Sequence, residues 1–310
     1  MVGIGSFIQV KSTLIDFLAG SLFFKVTVSK SALRRCLAAW CLGLFLFWAI
    51  RIAAADDGSR ELQLLVQPQG WEQSNTDVGP GLLAKYLGIV TGIKIRASQS
   101  VDSLAHWHRV RSQGSETGVF ELSLNEAQFT DYLIQHRHYT VLAQSSRTMR
   151  FTLVVRPGTV FTDPSDLSAQ RIAVPAPPSL AALRLLELFP DSAQVPAMIQ
   201  FRQVSDALQA LGLDQVQAAL VPMIDGSDYP KVQQTLITDA SPGLGFTASP
   251  GVSQEQRRNL TRALLNAHRS EDGRRALKAL NITEFELSSA SVYEGSSGLL
   301  RGTWGYSSAN

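Results

Sequence analysis

The chain has 310 residues, with 28 lysines and arginines against 26 aspartates and glutamates and a net charge of +2. This length is enough for one large core or for two domains, and the near-neutral balance does not indicate the strongly basic surface of a nucleic-acid-binding protein. Both cysteines, Cys36 and Cys41, lie near the amino terminus, so the rest of the chain has no disulfide framework and no thiolate chemistry.

Residues 1–55 have the layout of a Sec-type signal peptide. Positive charge at Lys30, Arg34 and Arg35 is followed by an uncharged apolar run at 36–50 and by the small residues 53–55. The run is shorter than the roughly 20 residues that span a bilayer. We predict cleavage after residue 55 and export to the periplasm, with an uncleaved anchor as the alternative.

Cleavage changes the charge of the protein. Residues 1–55 hold six basic residues and one acidic residue, Asp16, so the mature chain keeps 22 basic and 25 acidic residues, a net charge of −3. A basic nucleic-acid surface is therefore not expected. Residues 1–29 are longer than a positive region needs, which indicates a true start further downstream; a two-helix membrane hairpin is the alternative.

From residue 61 onward, short aliphatic runs alternate with amphipathic stretches, the pattern of an α/β protein with mostly parallel sheets. In a first unit the pattern predicts strands at 62–67, 93–97, 118–122 and 139–144, and helices at 81–91, 101–112 and 125–136. The extended run 149–156 predicts a crossing into a second unit. That unit has predicted strands at 171–174, 197–201, 218–223 and 235–238, and helices at 163–167, 179–188 and 204–211. The turn-rich residues 239–243 predict a return crossing, followed by helices at 253–268, 273–280 and 290–300.

Several segments carry a family pattern by their order and spacing. They are 83–92 (LAKYLGIVTG), 139–143 (YTVLA), 171–175 (RIAVP), 205–208 (SDAL) and the Ser241-Pro242 pair. Together they resemble the phosphonate-type substrate-binding proteins of ABC importers, a branch of the type 2 periplasmic binding proteins. The resemblance implies a two-lobed α/β fold with two hinge crossings, each lobe a mostly parallel sheet flanked by helices. Lobe 1 is expected to comprise 56–152 and 243–310, and lobe 2 153–242, with hinge closure over a ligand.

The expected anion site of this family departs from its usual pattern here. The helix start at 175–180 (PAPPSL) keeps Ser179 as its only hydroxyl, and its prolines lack backbone N–H donors. Ser205 or Val204 stands where the family often has a histidine, and Gln217 where a ligand-contacting aspartate is common. The resemblance therefore predicts the fold, but these departures do not support a prediction that the ligand is a phosphonate.

Loops after the strands supply the other candidates, because such loops line the cleft of an α/β fold. Trp71 can stack on a ligand or simply pack, Ser123 and Asn125 can cap a helix, and Arg147 can bind an anion or lie in a solvated turn. Glu121 in the cleft would favour a cationic or zwitterionic ligand. The predicted ligand-binding residues are Gln69, Trp71, Glu121, Ser123, Asn125, Ser146, Arg147, Ser179, Ser205 and Gln217.

Metal binding, cofactors and catalysis are not expected. The histidine pairs at 106/108 and 136/138 are two residues apart, a spacing that does not bring side chains together on a helix. The sequence has no nucleophile elbow, phosphate-binding glycine loop or zinc-protease motif.

The sequence therefore predicts a periplasmic solute-binding protein, a monomer and not an enzyme, that delivers a small polar or anionic molecule to an ABC permease. Capture would rest on different affinities of the open and closed states. The alternative is a ligand-sensing protein of the same fold that partners a membrane signalling protein.

Overall fold

The structure, a computed structural model, describes residues 61–68, 78–113, 119–189, 191–223 and 231–307. The predicted signal peptide and the predicted ligand residues Gln69 and Trp71 lie outside these ranges. The chain divides into two units, Met1–Gly58 and Ser59–Asn310, and all that follows concerns the second. Within the described ranges, none of the helices has the length and apolar character needed to span a membrane.

The first half of this unit alternates strands with helices. Its elements are β1 (Leu62–Val66), α1 (Gly79–Thr91), β2 (Ile95–Gln99), α2 (Ser103–Arg111), β3 (Leu122–Asn125), α3 (Ala127–Arg137) and β4 (Thr140–Ser145). The carboxy-terminal part adds β10 (Gly245–Ala248), α6 (Gln254–Asn266), α7 (Glu271–Ala279), β11 (Phe285–Glu286), α8 (Ala290–Tyr293) and a 3-10 turn (Ser296–Leu300). These strands form one six-stranded sheet in the order β11-β4-β10-β3-β1-β2.

The middle of the unit forms a second sheet. Its elements are β5 (Phe151–Val155), β6 (Arg171–Val174), α4 (Leu180–Glu187), β7 (Ala197–Gln200), α5 (Val204–Gly212), β8 (Ala218–Pro222) and β9 (Gln233–Ile237). The five strands lie in the order β7-β6-β8-β5-β9. We call the first sheet with its helices lobe 1 and the second lobe 2.

Most strands of each sheet run in one direction, as expected, and the remaining strands make both sheets mixed. In lobe 1, β1 is parallel to β2 and β3, while β10 is antiparallel to β3 and β4. In lobe 2, β6 is parallel to β7 and β8, while β5 is antiparallel to β8 and β9. The reason is that β5 and β10 are the strands by which the chain enters each sheet from the other one. Each of these two strands starts at the edge of the sheet where the neighbouring strands end, so it runs antiparallel to them.

The two crossings between the sheets are joined to each other. Met149 and Ser241 exchange backbone hydrogen bonds of 2.9 and 2.8 Å. Ser241 also accepts hydrogen bonds from Nε and Nη2 of Arg184 on α4, at 3.0 and 2.8 Å. The predicted lobe boundaries at 152/153 and 242/243 fall beside these crossings and remain a prediction.

Each lobe has its own apolar core, and a third cluster joins them. The lobe 1 core packs α1, α6 and α7 on the sheet, and the lobe 2 core packs α4 and α5 on theirs. The third cluster includes Trp107, Phe129 and Leu300 of lobe 1 together with Leu183 of α4. Leu299, half-buried, packs against both this cluster and the lobe 2 core.

Two predicted elements differ from the structure, and two short strands were not predicted. The strand predicted at 118–122 is β3, Leu122–Asn125, whose residues are all buried. Its position was misjudged because a central strand covered on both faces shows no alternation of polar and apolar residues. The four-residue β10 and two-residue β11 were not predicted. The helix predicted at 290–300 is broken at Gly295, whose φ of 83° ends a right-handed helix.

Candidate ligand-binding site between the lobes

The carboxyl ends of the parallel strands of the two sheets meet across one junction. Gln67 follows β1 and Glu126 follows β3, while the loop 175–179 follows β6. Gln128 Nε2 donates to the carbonyl oxygen of Pro178 at 3.1 Å, and the N–H of Leu180 donates to Glu126 Oε2 at 2.9 Å. In α/β folds this edge of a sheet is the usual place for a ligand.

Glu126 lies at the centre of this junction and is only 2 % exposed. Its Oε2 accepts hydrogen bonds from Gln67 Nε2 at 2.6 Å, from Gln128 Nε2 at 3.0 Å and from the N–H of Leu180. A buried carboxylate is costly unless such donors compensate for the lost water. Here the donors come from both lobes, so the carboxylate bridges them.

Two glutamines fix the position of this carboxylate. Gln67 also accepts, through Oε1, a hydrogen bond of 2.7 Å from the N–H of Glu126, which closes a two-point contact between β1 and the start of α3. Gln128 is fully buried, and its Oε1 has no hydrogen-bond partner among the described residues. The junction therefore offers an acceptor oxygen as well as the carboxylate.

The start of α4 forms the lobe 2 side of the junction. Ser179 is buried and caps the helix, because its Oγ accepts from the N–H of Ala182 at 3.4 Å. The free N–H groups and the dipole of a helix start attract an anionic oxygen. In this structure that oxygen belongs to Glu126.

A chain of buried polar side chains lies behind the junction. His106 bonds to Ser100 Oγ through Nδ1 at 3.1 Å and to Asn125 Oδ1 through Nε2 at 2.8 Å. Asn125 Nδ2 donates to Ser123 Oγ at 2.9 Å, and Ser123 lies 2.6 Å from Thr247 Oγ1 on β10. These hydrogen bonds hold Asn125, the residue before Glu126, against both α2 and β10.

Burial lowers the pKa of His106 to about 3, with a smaller lowering from the charge of Arg109 and an opposing effect of the Asn125 hydrogen bond. The imidazole is therefore neutral near pH 7. Because Asn125 Oδ1 only accepts, Nε2 is assigned as the protonated nitrogen, and Nδ1 accepts from Ser100.

Of the predicted ligand residues, Ser179 lies in the junction, while Ser123 and Asn125 lie in the polar chain behind it. Ser146 and Arg147 follow β4 in the first crossing. The N–H of Ser146 donates to the carbonyl oxygen of Glu284 at 3.1 Å. Arg147 Nη2 donates to the carbonyl oxygen of Met223, at the end of β8, at 3.2 Å. Arg147 thus brings a half-buried cation to the same edge of the sheets.

Two predicted positions lie away from the junction, because each residue directly precedes a strand. Glu121 precedes β3, and its Oε2 accepts from the N–H of Gln63 at 2.8 Å. Gln217 precedes β8, and its Oε1 accepts from the N–H of Arg171 at 3.1 Å. Both therefore lie at the sheet edges opposite the junction. Ser205 is exposed at the start of α5 and contacts Gln203 and Asp206 at 3.4 Å.

Sequence reasoning missed Gln67, Glu126 and Gln128. The signal that was available is the acidic residue directly after Asn125, at a strand-to-helix junction. It was passed over because the strand was placed four residues too early, which put the cleft at Glu121. Among the described residues, no three His, Cys, Asp or Glu side chains are grouped so as to hold a metal ion.

A family model for the periplasmic substrate-binding proteins of phosphonate ABC transporters matches residues 82–293. This chain belongs to that family. The match confirms the resemblance seen in the sequence and identifies the chain with a family of transport proteins rather than of enzymes. A search of curated protein sequences gives no match.

Solved structures place this phosphonate-type substrate-binding protein in the two-lobed fold. The chain is similar to XAC2383 from Xanthomonas citri bound to ATP, with a TM-score of 0.63 and 14% identity over 78% of this chain and 98% of the other. It is similar to PhnD1 from Prochlorococcus marinus in complex with methylphosphonate, with a TM-score of 0.62 and 13% identity over 78% and 97%. It is also similar to a binding protein component of a phosphonate ABC transporter from Pseudomonas aeruginosa, with a TM-score of 0.59 and 12% identity over 75% of this chain and 83% of the other. At these identities the likeness establishes the fold and not the ligand.

Proposed function

We propose that this chain is exported by residues 1–55 and captures a small polar solute between its lobes for delivery to an ABC permease in the membrane. Membership of the family supports transport, and one feature of the site supports capture. Polar groups from both lobes, Gln128 and Pro178 among them, contact each other at the carboxyl ends of the strands. A solute held there contacts both lobes and so stabilises the closed state over the open one.

Among the predicted ligand residues, Arg147 and Ser179 are the ones we propose as direct contacts. Ser179 lies on the lobe 2 side, at the start of α4, and Arg147 reaches the end of β8 from the crossing. A guanidinium and a hydroxyl at one edge are suited to a solute with acceptor oxygens. Asn125 and Ser123 are proposed to position the site through the polar chain.

A thermal-shift screen of the purified protein tests this proposal. The panel comprises phosphate, phosphite, methylphosphonate, sulfonates, amino acids, amines and vitamins. A compound at 100 times its Kd is expected to add about 2.7 kcal/mol to the free energy of unfolding. If no compound raises the Tm, the proposed capture of a solute is wrong.

Arg147→Ala tests the proposed contact with any compound that the screen finds. Loss of a charged hydrogen-bond donor is expected to raise the Kd about tenfold or more, as measured by calorimetric titration. Arg156→Ala is the matched control, because Arg156 pairs with Asp214 at the far edge of lobe 2, where it is 43% exposed. Equal Kd values for the two variants would contradict a role of Arg147.

A further inference from the structure

Glu126 fills the place that an anionic ligand would take. The N–H of Leu180, the first residue of α4, is bonded to Glu126 Oε2 at 2.9 Å, and the N–H of Ala182 is bonded to Ser179 Oγ. Three of the five residues before Leu180 are prolines, which have no N–H to offer. The helix start therefore has its nearest donors occupied by groups of the protein itself.

A second anion at this place would also lie against a negative charge. Glu126 is buried, so water screens it poorly, and a free oxyanion close to it is repelled. The protein's own carboxylate is present at a high effective concentration, since it is already attached to lobe 1. Both effects favour Glu126 over phosphate or a phosphonate.

Gln128 indicates what kind of group the junction still needs. Its Nε2 donates to both Glu126 and Pro178, while its Oε1 is buried and has no partner among the described residues. An oxygen in that position is satisfied by an N–H or O–H donor and not by another oxyanion.

We propose that Glu126 is the specificity-determining residue of this cleft: it acts as a built-in anion that ties lobe 1 to the start of α4, excludes small oxyanions, and leaves Gln128 to accept from a donor-bearing solute. The inference rests on the proposed function, because it concerns the same cleft. It assigns the solute to the amines and hydroxyl compounds rather than to the phosphonates.

Glu126→Ala tests this inference. Removing the carboxylate frees the Leu180 N–H and vacates the anion position, so the variant is expected to bind acetate and inorganic phosphate. Its Kd for these anions, measured by calorimetric titration at constant ionic strength, is expected to be about tenfold or more below that of the wild-type protein. Its Tm is expected to be lower than that of the wild type and to rise when either anion is added.

Asp131→Ala is the matched control. Asp131 is also a buried carboxylate on α3, but it accepts from the N–H of Ser297 at 2.8 Å, away from the start of α4. This variant is expected to lose stability without gaining anion affinity. If it gains the same affinity as Glu126→Ala, the effect is not specific to the junction and the inference is wrong.

The wild-type protein supplies a test that does not depend on a variant folding. It is expected to show no Tm change with phosphate or methylphosphonate beyond that caused by sodium chloride at equal ionic strength. Binding of either anion by the wild type overturns the inference. If Glu126→Ala does not fold by itself, acetate or phosphate is expected to restore its folding, as measured by near-ultraviolet circular dichroism. Failure of both anions to restore folding contradicts the inference.

The two proposals fail in different ways. If the wild type binds no compound of the screen while Glu126→Ala gains anion binding, capture of a solute is wrong and the role of Glu126 stands. If the wild type binds methylphosphonate, capture stands and the role of Glu126 is wrong.

Discussion

His106 makes the stability of the protein depend on pH. The fully buried ring is neutral in the folded state, where burial lowers its pKa to about 3, whereas in the unfolded chain it titrates near ~6.5. Between these values the unfolded state binds more protons than the folded one, so stability is complete above the unfolded pKa and is lost as the pH falls. For this one group the loss is up to about 1.4 kcal/mol per pH unit.

Urea unfolding between about pH 4.5 and 7 measures this effect. His106→Gln is expected to be less stable at neutral pH, because Gln cannot reproduce both ring hydrogen bonds, and to lose free energy of unfolding less steeply in acid. His108→Gln, which changes the histidine two residues along α2, is the matched control. An equally steep acid dependence in His106→Gln would show that His106 is not the source.

At the level of single residues, the sequence predicted chemistry better than position. Ser179 was predicted from the family resemblance, and the structure shows that it caps the start of α4. Glu126 was not recognised, because its role depends on a contact with Leu180 from the other lobe, 54 residues away. No local pattern encodes such a contact.

Among the elements, the return crossing is tightly packed around a glycine. A Cβ atom at Gly243 would lie 2.1 Å from the carbonyl oxygen of Ser145 and 2.7 Å from that of Arg147, both backbone atoms of the first crossing. The carbonyl oxygen of Gly243 accepts from the hydroxyl of Tyr293 at 3.0 Å, so the segment is held from the other side as well.

Gly243→Ala is therefore expected to lower the free energy of unfolding by about 1–3 kcal/mol, the range for overpacking a site that cannot relax. Gly81→Ala is the matched control, since a Cβ at Gly81 meets no atom within 4 Å. At the third position of α1, Gly81→Ala is expected to raise stability by up to about 0.5–1 kcal/mol. Chemical denaturation of the two variants measures both values, and a neutral Gly243→Ala would show that the crossings move apart easily.

The long amphipathic helices and the apolar strands of both lobes were predicted from the sequence to within a few residues. The elements that were missed are short ones made by the crossings. β10 has four residues and begins with a glycine, so its strand character comes from pairing with β3 and β4 rather than from propensity. The same contacts between distant segments make the sheets mixed.

At the scale of the whole molecule, polar and apolar contacts of the described residues join the lobes. Glu126 and Gln128 supply polar contacts at the start of α4, and Arg184 ties the middle of α4 to the crossing at Ser241. The carboxy-terminal 3-10 turn supplies the apolar contact, because Leu299 packs against the lobe 2 core and the cluster around Leu183. Residues 296–300 thus contribute to the contact between the lobes.

Leu299→Ala is expected to weaken the contact between the lobes more than it weakens either lobe. The side chain lies between the two clusters, so truncating it removes apolar contact across the junction, an effect of about 1–2 kcal/mol for a half-buried leucine. Small-angle X-ray scattering of the ligand-free variant is expected to give a larger radius of gyration than the wild type, with little change in circular dichroism. Leu287→Ala is the matched control, since Leu287 is 72% exposed in the same part of the chain. An unchanged radius of gyration in Leu299→Ala would leave the polar contacts of Glu126 and Gln128 as sufficient to hold the lobes together.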